Sequence, residues 1–154
     1  MLRLVDRLKA VAEPTRLRIV ALCAEGELAV SELTHILGQS QPRVSRHLKI
    51  LTDAGLIAPM REGNWTFYRL ERGEDRTSDT ILTLLNPDDP VIAADLQRLA
   101  SVRERREVAA EAYFERHARQ WDAIRALYVE EELVEKQLLS HVPPHDFRSH
   151  LDIG

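Results

Sequence analysis

The run Gln41-Pro42-Arg43-Val44-Ser45-Arg46-His47-Leu48-Lys49-Ile50-Leu51 restricts this chain more than any other stretch. At helical spacing Val44, Leu48 and Leu51 fall at i, i+4 and i+7 and form one apolar stripe. Gln41, Pro42, Ser45, Arg46 and Lys49 fall on the other side. A helix anchored inward along one edge, with Gln, Ser, Arg and Lys along the other, has the chemistry to enter a DNA major groove. Arg and Gln offer paired donors or acceptors to base edges, while Ser and Lys reach bases or phosphates.

The flanking segments supply a setting for that helix. Arg3 to Ala12 reads as a first helix with Leu4, Leu8 and Val11 on one face. Glu13-Pro14-Thr15 opens a second, because proline is preorganised for the first helical turn and lacks an N–H that would go unpaired there. From Pro14 to Ala24 that helix is apolar around most of its circumference and belongs at the centre of the core. Ser31 is the expected N-cap of a short helix ending at Leu37, and Ser40 that of the polar-faced helix after the turn Gly38-Gln39-Ser40. Gly55 then permits a left-handed helix end. Leu56 to Arg61 and Trp65 to Leu70 read as two strands joined by Glu62-Gly63-Asn64, a hairpin made basic by Arg61, Arg69 and Arg72.

A further helical turn is expected over Asp79 to Leu85, a break at Asn86-Pro87-Asp88-Asp89-Pro90, and a helix restarting with Asp89 as N-cap and Pro90 first. Val91 to about His117 contains no Gly or Pro, with apolar contacts from Leu96, Leu99, Val102, Ala109, Ala112 and Tyr113. Such a helix would extend about 40 Å, more than a small domain needs for its own core, so a second copy of the chain is its expected partner. The alternative is a solvated helix packed on its own domain, since Arg103 and Arg106 interrupt the stripe.

The 154 residues suit one modest domain, or a small one with an extension. A single cysteine, Cys23, forms no internal disulfide; it reads as a small buried hydrophobe and fits a reducing cytoplasm. The N-terminus alternates charged and apolar residues, unlike a signal peptide or a membrane span. Net charge is −4, but residues 1–72 hold eleven Lys or Arg against eight Asp or Glu, and the remainder ten against seventeen. Positive charge is concentrated around the polar-faced helix, and phosphate contact depends on that local field.

Four segments, taken together, resemble the ArsR family of bacterial winged-helix repressors. They are Glu13-Pro14-Thr15-Arg16-Leu17-Arg18-Ile19, the run from Gln41 to Leu51, Ala54-Gly55-Leu56-Ile57, and Arg61-Glu62-Gly63 followed by Trp65 and Tyr68-Arg69-Leu70. The resemblance implies a mainly α fold with a small β-hairpin: a winged helix-turn-helix plus a long C-terminal dimerisation helix. It implies a homodimer on double-stranded DNA, with two recognition helices in successive major grooves of an inverted repeat. On that reading Gln41, Ser45 and Arg46 read base edges and Pro42 makes apolar contact. Arg43 and Lys49 meet phosphates, and Arg61 with Asn64 approaches the minor groove or backbone. His47 flanks the buried stripe and is structural or phosphate-contacting. Metalloid-sensing members carry two cysteines where this chain has Ala29 and Ser31, and neither is a soft ligand. His141 and His145 are separated by Pro143-Pro144, which forbids a shared helical face. No metal is expected.

The tail from Tyr113 through Trp121-Asp122 to Leu151-Asp152-Ile153-Gly154 is similar to the join between an ArsR-type domain and a class I S-adenosylmethionine-dependent methyltransferase. The organisation expected is a DNA-binding domain over 1–76, dimerisation and linker helices over 77–119, and the start of a truncated methyltransferase-like domain over 120–154. No catalytic or cofactor residue is expected within this chain. S-adenosylmethionine or S-adenosylhomocysteine is the ligand expected for a full-length parent, so the chain reads as a regulator rather than an enzyme. The alternatives are methyl transfer by that parent, or a helical interaction module whose polar face is solvated surface.

Overall fold

The computed structural model describes residues 2–72, 76–86, 88–128 and 136–137. In chain order the elements are α1 (Leu2–Val11), α2 (Pro14–Ala24), β1 (Leu28–Ala29), α3 (Val30–Leu37), α4 (Gln41–Asp53), β2 (Ile57–Glu62), β3 (Trp65–Leu70), α5 (Thr77–Thr83) and α6 (Pro90–Tyr128). Two compact units partition the chain, Met1–Arg105 and Arg106–Gly154.

In the first unit, α2 forms the hub. Ile19, Val20, Leu22 and Cys23 are at most 2% exposed and pack with Leu33 and Ile36 of α3, Val44, Leu48 and Leu51 of α4, and Ile57 of β2. Its start follows the sequence: Pro14 takes the first helical position, and the Glu13 carboxylate accepts a hydrogen bond from the Arg16 backbone N–H at 2.9 Å.

Between α3 and α4 the chain reverses at Gly38, whose φ of +64° lies in the left-handed region where a side chain is strained. The backbone N–H of Gln39 returns to the Thr34 carbonyl at 3.3 Å and closes α3. The end of α4 is built alike. Gly55 has φ +67°, the Gly55 N–H donates to the Thr52 carbonyl at 2.9 Å, and the Leu56 N–H donates to the Leu51 carbonyl at 3.0 Å.

Of the two serine caps expected from sequence, the one at Ser31 is corrected. Residue Ala29 occupies the N-cap of α3, and the Glu32 carboxylate accepts from its backbone N–H at 2.7 Å. Ser31 is already inside the helix, because the start is displaced toward a residue still paired in a strand. Ser40 does sit at the N-cap of α4 with extended backbone, yet its hydroxyl makes no capping bond.

The hairpin acquires a third strand that periodicity did not show. Strand β1 pairs antiparallel with β3 through Leu28↔Tyr68 and Ala29↔Phe67, giving the order β1-β3-β2. Two residues are too few to display alternation. Strands β2 and β3 run in register from Ile57↔Leu70 to Glu62↔Trp65, with Gly63 and Asn64 between them.

Helix α1 departs further from expectation. Val11 is buried with Ala10, but Leu4 and Leu8, read on the same face as Val11, are 49% and 47% exposed. The helix is held by its second half and by Arg7, which donates to the carbonyls of Ala54 and Gly55 at 3.2 Å each.

Helix α6 begins as the sequence indicates, the Asp89 carboxylate accepting from the Val91 N–H at 2.8 Å. Within the first unit Leu99 and Val102 are buried. Leu96, read among the apolar contacts of this helix, is 37% exposed, and its neighbour Asp95 is buried, 1% exposed. In the second unit Ala109, Ala112 and Tyr113 are exposed, and the backbone stays helical to Tyr128. The expected break at 141–145 and the Leu151-Asp152-Ile153-Gly154 strand lie outside the described residues.

Candidate nucleic-acid interface

Helix α4 is divided as its spacing requires. Val44, Leu48 and Leu51 are no more than 1% exposed. Gln41, Pro42, Arg43, Ser45, Arg46 and Lys49 are all exposed. The helix presents no acidic residue in its first three turns, so Arg43 and Arg46 stand in a field with no carboxylate of their own helix nearby. Lys49 differs: its Nζ lies 3.0 Å from a carboxylate oxygen of Asp53 one turn on. With side chains 76% and 62% exposed, that i,i+4 pair is weak and exchangeable for a phosphate.

His47 sits at the seam between α4 and the start of α2. Its Nδ1 is buried, 3.6 Å from a Glu13 carboxylate oxygen, and has no hydrogen-bond partner. Burial lowers its pKa from 6.5; Glu13 opposes that, while Arg16, Arg43 and Arg46 reinforce it. Burial also raises the pKa of Glu13, but hydrogen bonds from Arg16 and Thr15 outweigh burial and hold the carboxyl below 4.5. The histidine therefore belongs to the packing of α4 on α2 rather than to the exposed face.

At the hairpin Arg61, Asn64 and Arg69 are exposed. Arg72 contributes less free charge than the sequence implied, since Asp79 lies 3.8 Å from its Nε. All eight candidate contact residues are thus solvent-facing, six on α4 and two at the hairpin.

Two features escaped the sequence reading. Trp65, beside Asn64, is 61% exposed. Asp95 of α6 is buried and accepts from Nε and Nη2 of Arg18 on α2, at 2.6 and 2.7 Å, and from Arg98 at 3.0 Å. That bidentate bond raises the Arg18 pKa against the opposing effect of burial. An aspartate on the face otherwise occupied by Leu99 and Val102 was the available signal.

Known proteins share this arrangement. A family profile described as bacterial regulatory protein, arsR family, matches residues 13–58, from the Glu13 cap through α4 into β2. The arsenic resistance transcriptional regulator ArsR1 of Pseudomonas putida is 41% identical over 99 residues, covering 63% of this chain and 77% of that relative. The chain belongs to the arsR family. With membership come the winged helix-turn-helix fold and regulation of transcription by DNA binding. The arsenical resistance operon repressor of Escherichia coli is 46% identical over 67 residues, which are 43% of this chain and 57% of that relative's length. Among solved structures, HlyU from Vibrio cholerae superposes with a TM-score of 0.50 at 34% identity, covering 54% of this ArsR-family chain and 88% of that one.

Thiolate chemistry has little to work with in this member. Ala29 is 4% exposed in β1 and Ser31 lies in α3, where no soft donor is available. Cys23 is 2% exposed, and burial pushes its thiol up to about 12, so it is a packing residue. Among the described residues no group of three or more His, Cys, Asp or Glu side chains could hold a metal ion. No helix of the described residues is long and apolar enough to cross a membrane.

Proposed function

We propose that this chain is a homodimeric cytoplasmic repressor that places α4 of each protomer in successive major grooves of an inverted-repeat operator. The observation that carries the reading is the division of α4: an edge sealed in the core, and Gln41, Ser45 and Arg46 open to solvent beside Arg43 and Lys49. Those open side chains match the donor and acceptor patterns of base edges. Arg61 and Asn64 extend the same contact to the backbone or minor groove. The repressor assignment is drawn from relatives described as repressors.

A second copy of the chain is the proposed partner of the apolar surface left open. Leu4, Val5 and Leu8 on α1 and Val91 and Leu96 on the first unit's part of α6 are all more than a third exposed. Covering such side chains is the usual reason for their being there in number.

Band-shift titrations of the promoter region of its own gene at two salt concentrations test this reading. Binding that is sequence-dependent and weakens steeply with salt supports it. A solvated helical module would leave the DNA unshifted at low salt, and that result would overturn it.

The ligand is proposed on the resemblance of the tail to a methyltransferase join. S-adenosylmethionine or S-adenosylhomocysteine would act through a methyltransferase domain beyond the DNA-binding unit, so the 154-residue chain should bind DNA with an affinity that neither molecule changes. A shift in DNA affinity on titrating either one contradicts that proposal.

A further inference from the structure

We propose that Trp65 is a DNA contact in its own right, packing its indole against sugar and base edges of the minor groove beside the hairpin tip and adding affinity that salt does not screen. The inference rests on the reading of α4 and the hairpin as the DNA interface. Its starting point is an exposed indole where the fold gives no reason for one. Trp is highly buried on average, yet Trp65 is 61% exposed.

Register fixes where the ring stands. Trp65 opens β3 directly opposite Glu62, and only Gly63 and Asn64 intervene. Side chains alternate along a strand, so Leu70, 8% exposed, shares its face with Tyr68 and Thr66, while Trp65 shares the opposite face with Phe67 and Arg69. The indole is therefore held at the tip, next to exposed Asn64 and on the face opposite the exposed Arg61, which pairs with Thr66.

Charge points to DNA as the occupant and defines the kind of contact. Arg61 and Arg69 draw the hairpin toward phosphates, but Glu62, the direct cross-strand neighbour of Trp65, repels them. A contact made at this spot is consequently apolar, with the indole N–H as its single polar handle. Apolar side chains placed in the minor groove are an established way of gripping duplex DNA.

The experiment measures binding of a duplex selected from a random-sequence pool over a series of salt concentrations. It compares the unmodified chain with Trp65→Ala, Trp65→Phe and Arg61→Ala. Trp65→Ala should weaken binding about tenfold, the lower range for aromatic contacts with nucleic acid, with the salt slope unchanged. Trp65→Phe should lose less, and Arg61→Ala should flatten the slope by about one. In a Trp121→Phe background the emission of Trp65 should change as duplex is added and saturate with binding. That readout uses the unaltered indole and stands even if Trp65→Ala loosens the hairpin. Wild-type affinity in Trp65→Ala, a slope altered by it, or emission unmoved at saturation overturns the inference while the DNA reading survives. A chain that selects no duplex at all sinks both.

Discussion

Arg46 and Arg61 carry the same charge and are both exposed, but their settings assign them different work. Arg46 projects from a rigid helix whose opposite edge is sealed, which suits a directional bidentate contact. Arg61 stands near the end of a two-stranded hairpin, which suits a phosphate. Arg46→Ala should cost about 1–3 kcal/mol and relax preference at one base pair; Arg61→Ala should weaken all sequences about equally. Affinities of the two variants over a panel of single-base operator changes make the distinction, and identical profiles would refute it. At His47 the prediction concerns stability. Its folded pKa lies below 6.5, so the unfolded chain takes up a proton that the folded one refuses. Stability contributed here is complete above 6.5, falls as pH drops below that, and levels off beneath the lowered folded value. The groups facing the ring are Glu13 and Arg16 from α2 and Arg43 and Arg46 from its own helix. His47→Gln should flatten the first part of the acid limb in urea titrations and leave the later loss, due to Glu13 and its pKa below 4.5, in place. The exposed face of α4 was legible because period 3.6 separates it from three aliphatic anchors. Trp65 was not, because a strand's first residue has no pattern that reveals whether its face is covered.

At the scale of elements, α6 is attached to the DNA-binding unit by more than apolar contact. The Asp95 carboxylate, 2% exposed, is held by Arg18 of α2 and by Arg98, which also approaches the Ile36 carbonyl of α3 at 3.4 Å. Removing the aspartate strands Arg18, whose side chain is 18% exposed. Asp95→Ala should therefore destabilise by about 2–3 kcal/mol in chemical unfolding, less than a fully buried pair because Arg18 can reach water. Arg98→Ala, half-exposed, should cost under about 1 kcal/mol. Equal losses would mean that the buried carboxylate is not the centre of the network. Helices α2 and α4 could be read from proline, glycine and aliphatic spacing, since local chemistry decides them. The partner of Asp95 could not, as 77 residues separate it from Arg18. The fate of α1 was equally hidden: periodicity showed that Leu4 and Leu8 share a face, but not whether this unit or another chain covers it.

Over the whole molecule, the proposed dimer follows from what one chain leaves uncovered, and it carries a geometric consequence. Two α4 helices in successive major grooves stand about 34 Å apart, which sets the operator half-sites one helical turn from each other. The long helix belongs to the same picture. It supplies two core residues, Leu99 and Val102, and then exposes Val108, Tyr113 and Phe114. The family was legible in the sequence because its motif coincides with the physical requirements of a groove-facing helix on a helical core. The central claim is that side chains of α4 read base edges from the major groove, and one substitution in the DNA tests it most directly. Replacing single operator guanines by 7-deazaguanine removes the N7 acceptor and changes nothing in the minor groove or backbone. At one position in each half-site the change should weaken the unmodified protein and leave the already weakened Arg46→Ala variant unaffected. If no deazaguanine alters binding at any operator guanine, or if both proteins lose the same factor, α4 is not reading DNA through Arg46 as described.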